Sequence, residues 1–250
     1  MAKRTIKLTL QYDGTEYVGW QRQAEGISIQ GLLEDALKPV EGAPVTVQGA
    51  GRTDAGVHAL GQVASFTLQA SIDTTTLARA LNAVLPLDLR VARVEEEAEG
   101  FHARFSATGK VYEYRIMNGP FASPFVRRYV WHVIPRIDRA AVREAALGLV
   151  GTHDFAAFQG TGTPVASTER TIHRLDFSEG PEGLLVMAIE GNGFLRHMVR
   201  NIAGTLVEIG LGRWPATAMA EILASRDRAR AGSTAPPQGL FLVEVRYGVR

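Results

Sequence analysis

The stretch Thr5-Ile6-Lys7-Leu8-Thr9-Leu10-Gln11-Tyr12 alternates apolar and polar residues without a break. A period of two places Ile6, Leu8, Leu10 and Tyr12 on one face of a half-buried strand, and Asp13-Gly14 ends it. Downstream, Ser28 reads as the N-cap of a helix with Ile29, Leu32, Leu33, Ala36 and Leu37 on one stripe, stopped by Pro39. Val45 to Gln48 is a short strand, Gln62 to Leu68 a longer one, and a glycine-rich loop joins them. A helix capped around Asp73 to Thr75 carries Leu77, Leu81 and Val84, and Leu89 to Val94 makes the next strand. The acidic run Glu95-Glu96-Glu97 reads as a solvated edge.

The second half repeats the theme with different residues. Lys110 to Met117 is a strand, and Tyr129 to His132 is extended. Asp138 caps a helix through Val142, Ala145, Ala146 and Leu149, closed by Gly151. Gln159 to Glu169 is a long polar loop that could act as a flap. Strands Thr171 to Phe177 and Leu184 to Glu190 flank Gly180-Pro181-Glu182-Gly183, and Gly191-Asn192-Gly193 opens a helix through Leu195, Val199, Ile202, Leu206 and Ile209. A short helix near Thr217 to Ala224 and a last strand, Leu240 to Tyr247, follow. The order β-α-β-β-α-β, read twice, predicts an α+β fold of two tandem split β-α-β units, residues 1–105 and 106–250. Their mainly antiparallel sheets are expected to join into one large sheet, with helices on one face and a cleft across the other, and an open-faced sheet of this type is a common RNA platform.

At 250 residues, 46% hydrophobic and 21% charged, the chain can bury a large core. No apolar run approaches the roughly eighteen residues of a membrane span, and Met1-Ala2-Lys3-Arg4 leads into a strand without a signal-peptide core, so a cytoplasmic protein is expected. The absence of cysteine excludes a thiolate nucleophile, a disulfide framework and a cysteine metal site. Net charge is only +1, but residues 1–105 hold 10 basic against 13 acidic side chains and residues 106–250 hold 17 against 13, making the second half the anion-facing side. Arginine supplies 23 of the 27 basic residues, which suits phosphate contacts and base stacking, although a GC-rich genome gives the same bias.

The loop is Gly51-Arg52-Thr53-Asp54-Ala55-Gly56-Val57-His58-Ala59. It has the glycine spacing of a phosphate-binding P-loop, yet Val57-His58 stand where Lys and Ser or Thr are needed. Gly49-x-Gly51 begins like a dinucleotide fingerprint, but Asp54 would set a negative charge beside the pyrophosphate. An ordinary glycine-rich turn is the commoner fate of such clusters. The six histidines form no H-x-x-x-H pair and no G-x-S-x-G occurs, so neither a metal site nor a serine elbow is expected. Asp54 remains as a nucleophile or base. Tyr112 and Tyr114 share a face of their strand, where at least one is a core residue and one could stack on a base. Arg196 and Arg200 fall one helical turn apart, and Arg200 among apolar neighbours wants a carboxylate, for which Asp54 is the candidate.

The loop motif resembles the signature of the tRNA pseudouridine synthase A family. Tyr12-Asp13-Gly14-Thr15, Gly19-Trp20-Gln21-Arg22-Gln23, Phe101-His102-Ala103-Arg104, Lys110-Val111-Tyr112-Glu113-Tyr114, Arg196-His197-Met198-Val199-Arg200-Asn201-Ile202 and Gly239-Leu240-Phe241-Leu242 follow in that family's order. The resemblance covers essentially the whole chain. It implies isomerisation of uridine to pseudouridine at positions 38, 39 and 40 of the tRNA anticodon arm, by a homodimer without metal or nucleotide cofactor. It further implies Asp54 as the catalytic carboxylate, Tyr112 as the stacking tyrosine, Arg200 as the partner of Asp54 and Arg52 as the residue that helps flip the base. A non-catalytic RNA-binding module would have no use for Asp54, and a carboxylate hydrolase usually shows a second acidic residue or metal ligand nearby.

Overall fold

The computed structural model describes residues 3–162 and 165–248. Met1 and Ala2, read above for a leader, and Thr163 and Pro164, inside the expected flap, lie outside the described residues. In chain order the elements are β1 (Arg4–Tyr12), α1 (Ile29–Glu41), β2 (Gln48–Gly49), β3 (His58–Leu68), α2 (Thr74–Val84), β4 (Leu89–Glu97), β5 (Gly109–Asn118), β6 (Trp131–Val133) and α3 (Arg139–Leu147). Then come β7 (Gly151–Asp154), β8 (Glu169–Glu179), β9 (Leu184–Gly191), α4 (Met198–Gly210), α5 (Ala218–Ser225) and β10 (Leu240–Arg246). Among the described residues no helix is long and apolar enough to cross a membrane. The mixture is α+β, in two units: one runs to Thr108 and resumes at Phe241, and the other is Gly109–Leu240. A division after Phe105 would give the last strand to the second half. Its residues from Phe241 belong to the first unit, because Phe241 and Leu242 pair in parallel with His58 and Ala59 of β3.

In the first unit β3 lies between β1 and β2 and is antiparallel to both, so β1-α1-β2 is a split β-α-β. β1 in turn lies between β3 and β4, antiparallel to each, so β3-α2-β4 is a second one. The alternation of β1 acts as expected: Ile6, Leu8 and Leu10 are fully buried and Tyr12 nearly so. α1 turns Ile29, Leu33 and Leu37 inward, and α2 turns Leu77 and Leu81 inward. Ser28 and Asp73 cap these helices, accepting from Gly31 N and Thr76 N.

Three expectations in this unit are corrected. Pro39 does not stop α1: it falls in the last turn, where the N–H it lacks would have met an exposed stretch of helix, and the end is set by Gly42 at φ 77°. Val45 to Val47 is not a strand, because Gln30 Nε2 donates to Val47 O (3.1 Å) and Glu34 accepts from Val47 N (3.2 Å), satisfying from α1 what a ladder would satisfy. Val84 is 68% exposed and off the core stripe of α2. The acidic run lies on the edge strand, as expected. It forms the end of β4, where Glu95 and Glu97 hold Lys7 Nζ (3.3 and 2.6 Å) and Glu96 holds Arg4 (3.2 Å). Burial pulls the Lys7 ammonium down, and its bonds to Glu97 and Glu95 outweigh this and leave it above its ordinary value.

In the second unit β9 lies between β5 and β8, antiparallel to both, giving a split β-α-β through α3. β7 extends the sheet beyond β8, and β6 pairs in parallel with the end of β5. α3 ends at Leu147 rather than Leu149, and Gly151, read as its closing residue, instead opens β7 at φ 110°. α4 starts at Met198, later than Gly191-Asn192-Gly193 suggests, because His197 takes a left-handed backbone at φ 60° immediately before it. The second unit is therefore richer in strands than a plain β-α-β-β-α-β.

Four of the six tyrosines titrate above their ordinary value, Tyr12, Tyr17, Tyr114 and Tyr247, each chiefly through burial. Burial pushes Tyr12 up to about 12 against the opposing pull of its bonds to Thr53 and Gln62. A raised folded-state value means that the folded protein holds the phenolic proton more tightly than the unfolded chain, whose tyrosines titrate near about 10. The stability this contributes is complete below that pH and is lost as pH climbs from about 10 through about 12. Denaturant unfolding at pH 9 and pH 11 should show a marked loss in the parent and a smaller loss in Tyr12→Phe. An equal loss in both would mean that Tyr12 takes no part in the alkaline transition.

Candidate active site

The loop between β2 and β3 carries Arg52 and Asp54 and is held mainly by main chain. Asp54 O accepts from Val57 N (3.1 Å), closing a turn in which Gly56 takes φ 76°, a value that favours glycine. Two further glycines meet the loop from outside. A Cβ on Gly14 would stand 2.0 Å from Val57 O, and one on Gly19 would stand 2.6 Å from Thr53 O. Trp20 N donates to Thr53 O (3.0 Å), and the Trp20 ring covers Gly49, where a Cβ would stand 2.4 Å from it. Thr53 is buried with its hydroxyl 2.8 Å from Tyr12 OH, and Gln62 Nε2 donates to Gly51 O (2.8 Å). Asp54 is half-buried and Arg52 is exposed. Of the loop glycines, only Gly56 needs a positive φ; Gly49 serves the indole.

His58, at the exit of the loop, is 1% exposed and stacks on Phe241 with ring centroids 4.7 Å apart. Its Nδ1 receives Gly14 N–H at 3.0 Å and lies 3.1 Å from Asp13 Oδ1. The motifs Tyr12-Asp13-Gly14-Thr15 and Gly19-Trp20 thus form the seat of the Asp54 loop. Phe101-His102-Ala103-Arg104 is structural too: Ala103 N donates to Ser65 Oγ (2.9 Å), and Ala103 O accepts from Tyr247 OH (2.7 Å).

Tyr112 and Arg200 belong to the second unit. Tyr112 is 7% exposed on β5, opposite Ile189, and its ring meets Phe194 edge-on at 5.2 Å. Tyr114 is the core member of the pair: it is fully buried, its hydroxyl donates to Pro236 O (2.7 Å), and Gly239 lies against its ring. Arg200 is half-buried in the first turn of α4 rather than mid-helix. Its Nε–H donates to Ala235 O (2.7 Å), and Ala235 N donates back to Arg200 O (3.2 Å). Arg196 is not on the helix. It lies before His197, exposed, with Nη1 on Thr161 O (2.9 Å) while its carbonyl accepts from Gly160 N (2.7 Å), so it ties down the start of the 159–169 loop.

Sequence reasoning passed over Asn201, which is fully buried. Its Nδ2 donates to Phe158 O (2.8 Å), and its Oδ1 accepts from Thr234 Oγ1 (2.7 Å) and Arg228 Nη2 (3.1 Å). The available signal was an amide in the apolar run Ile202-Ala203, a place that is costly without partners. Among the described residues no three histidine, aspartate or glutamate side chains come together to hold a metal ion.

A sequence profile described as tRNA pseudouridine synthase matches residues 9–106 and 145–248. A tRNA pseudouridine synthase A of Myxococcus xanthus is 49% identical over 97% of this chain and 91% of its own length. Those of Geobacter sulfurreducens and of Thermoanaerobacter sp. (strain X514) are 46% and 44% identical, each over 98% of this chain and the whole of the relative. With a profile spanning most of the chain and relatives aligned nearly end to end, the chain belongs to the tRNA pseudouridine synthase family.

Proposed function

We propose that this isomerase converts uridine to pseudouridine at positions 38, 39 and 40 in the anticodon arm of tRNA, with Asp54 as its catalytic carboxylate. In this reading Arg200 pairs with Asp54, Tyr112 stacks on the target base, and Arg52 helps to turn that base out of the helix. The enzyme acts as a cytoplasmic homodimer on tRNA, without a metal or nucleotide cofactor.

The observation that carries the reading is the seat of the Asp54 loop. A carboxylate on a turn gripped by the main chain at Gly14 and Gly19 is held for chemistry, whereas an ordinary surface turn needs no such grip. The reaction breaks N1–C1′, turns the uracil, forms C5–C1′, releases the C5 hydrogen as a proton and leaves a proton on N1. No electrons are gained or lost. Asp54 serves either by attacking C1′ or by taking a proton from the sugar, and both roles need a carboxylate of fixed aim. A guanidinium fixes such an aim, and Arg200 stands in the first turn of α4, where the partial positive charge of the helix terminus also favours an anion. Exposed Arg52, two residues from Asp54, is placed to meet phosphate. Tyr112, braced by Phe194, offers a rigid ring to a base that has left its stack.

Release of tritium from tRNA labelled at uridine C5 tests the reaction. The parent should release it, and Asp54→Asn should bind tRNA as tightly while release falls by roughly a thousandfold or more. Near-parental release by Asp54→Asn would refute the catalytic assignment, and tight binding without release by the parent would favour a binding module.

Tyr112 separates stacking from hydroxyl chemistry. Tyr112→Phe should keep most of kcat/KM, while Tyr112→Ala should lose about 1–3 kcal/mol of stabilisation, as base–aromatic contacts do. Equal damage from the two changes would show that the hydroxyl, not the ring face, is what the reaction uses.

A further inference from the structure

We infer that Arg228 is a positioning residue for Arg200, acting through Asn201, Thr234 and the strap 231–236. The inference rests on the reading of Arg200 as the partner of the catalytic carboxylate.

Arg200 is fixed to the strap by a two-way contact: its Nε–H donates to Ala235 O (2.7 Å) and its carbonyl accepts from Ala235 N (3.2 Å). With Nε on the Ala235 carbonyl, the position of Ala235 helps to set the direction of the planar guanidinium. What locates Ala235 is a polar network centred on Asn201, the next residue of the same helix. The single hydroxyl hydrogen of Thr234 goes to Asn201 Oδ1 (2.7 Å), which leaves Thr234 Oγ1 as an acceptor. Arg228 Nη2 supplies that acceptor and Asn201 Oδ1 together, each at 3.1 Å, while its Nη1 reaches Ala231 O (3.3 Å).

The Asn201 amide has one consistent orientation in this network. Asn201 Oδ1 takes Thr234 and Arg228, its Nδ2 is spent on Phe158 O, and an amide turned over would face two donors with its own N–H groups. The strap is pressed onto α4 besides. A Cβ on Gly204 would stand 1.9 Å from Ser233 O, and Gly232 N donates to Thr205 Oγ1 (2.9 Å). From β5, Tyr114 OH holds the carbonyl of Pro236, the residue after Ala235. Arg228 is the charged member of the set. Its fork meets Ala231 from one nitrogen and Asn201 and Thr234 from the other, a planar spread that the single nitrogen of a lysine lacks.

The test is steady-state tritium release by Arg228→Met, Arg228→Lys, Arg200→Lys and the double variant Arg228→Met/Arg200→Lys, below each variant's melting transition. Arg228→Met should lower kcat by roughly tenfold to a hundredfold, as small misplacements of a catalytic group do, with KM for tRNA within about twofold. Arg228→Lys should recover part of the loss. In the Arg200→Lys background, which lacks the Nε anchor, the same Arg228→Met change should alter kcat by less than about twofold. Thr234→Val, which removes only the hydroxyl contact to Asn201, repeats the comparison if Arg228→Met does not fold. Parental kcat in Arg228→Met, or an equal loss in both backgrounds, would overturn the inference while leaving Arg200 in place. Parental kcat in Arg200→Lys would instead overturn the reading of Arg200 itself.

Discussion

The first unit depends on main chain touching main chain. Gly14 and Gly19 approach the carbonyls of Val57 and Thr53 so closely that a methyl group at either would collide with backbone. Flexible side chains could yield to such a clash, but a carbonyl in a bonded turn cannot do so cheaply. Several things follow from those two contacts. Thr53 O is brought to Trp20 N, the indole is set over Gly49, and His58 enters β3 already bonded to Gly14. The half-buried Asp54 therefore inherits its place from the backbone.

The second unit meets the same demand by other means. Arg200 cannot be held by backbone alone, since a long side chain has freedom to lose and must be anchored partway along. The Ala235 carbonyl does this at Nε, and the strap bearing Ala235 is fastened to α4 by Asn201 and Thr205 and to β5 by Tyr114. Tyr112 sits on that same strand, two residues from Tyr114. Tyr112 and Arg200 thus share a support made of one strand, one helix and the strap.

Much of this was legible in the sequence, for reasons that vary by element. The period of two in β1 and the caps Ser28, Asp73 and Asp138 are local effects, and local effects leave local marks. The loop around Asp54 drew notice through its glycines, while Val57-His58 and Asp54 itself excluded the better-known phosphate loops. Where the reading went astray, a distant group had met the need that a local element would have met. Val47 looks like strand, yet Gln30 and Glu34 take its N–H and C=O. Asn201 looks like a misplaced amide until Arg228 and Thr234, far along the chain, are brought to it. No periodicity carries information of that kind.

The start of α4 shows how a strained residue can serve the site. Gly191-Asn192-Gly193 offers an easy helix start, and a helix from there would put Arg200 well inside, away from the terminal N–H groups. His197 instead takes the left-handed backbone, at a cost of about 1 kcal/mol for a residue with a Cβ. The surroundings hold it there: Gly160 N donates to Arg196 O, and Gly160 has no Cβ to strike the His197 ring, whose Nδ1 would lie 2.6 Å away. The result is that Arg200 falls in the first turn, at the positive end of the helix dipole, where a cation alone is disfavoured. That placement fits the role proposed for Arg200, which is to meet an anion. On the role proposed for Arg200, helix terminus and guanidinium favour an anion together, and the left-handed backbone of His197 is the local cost of bringing them to one place.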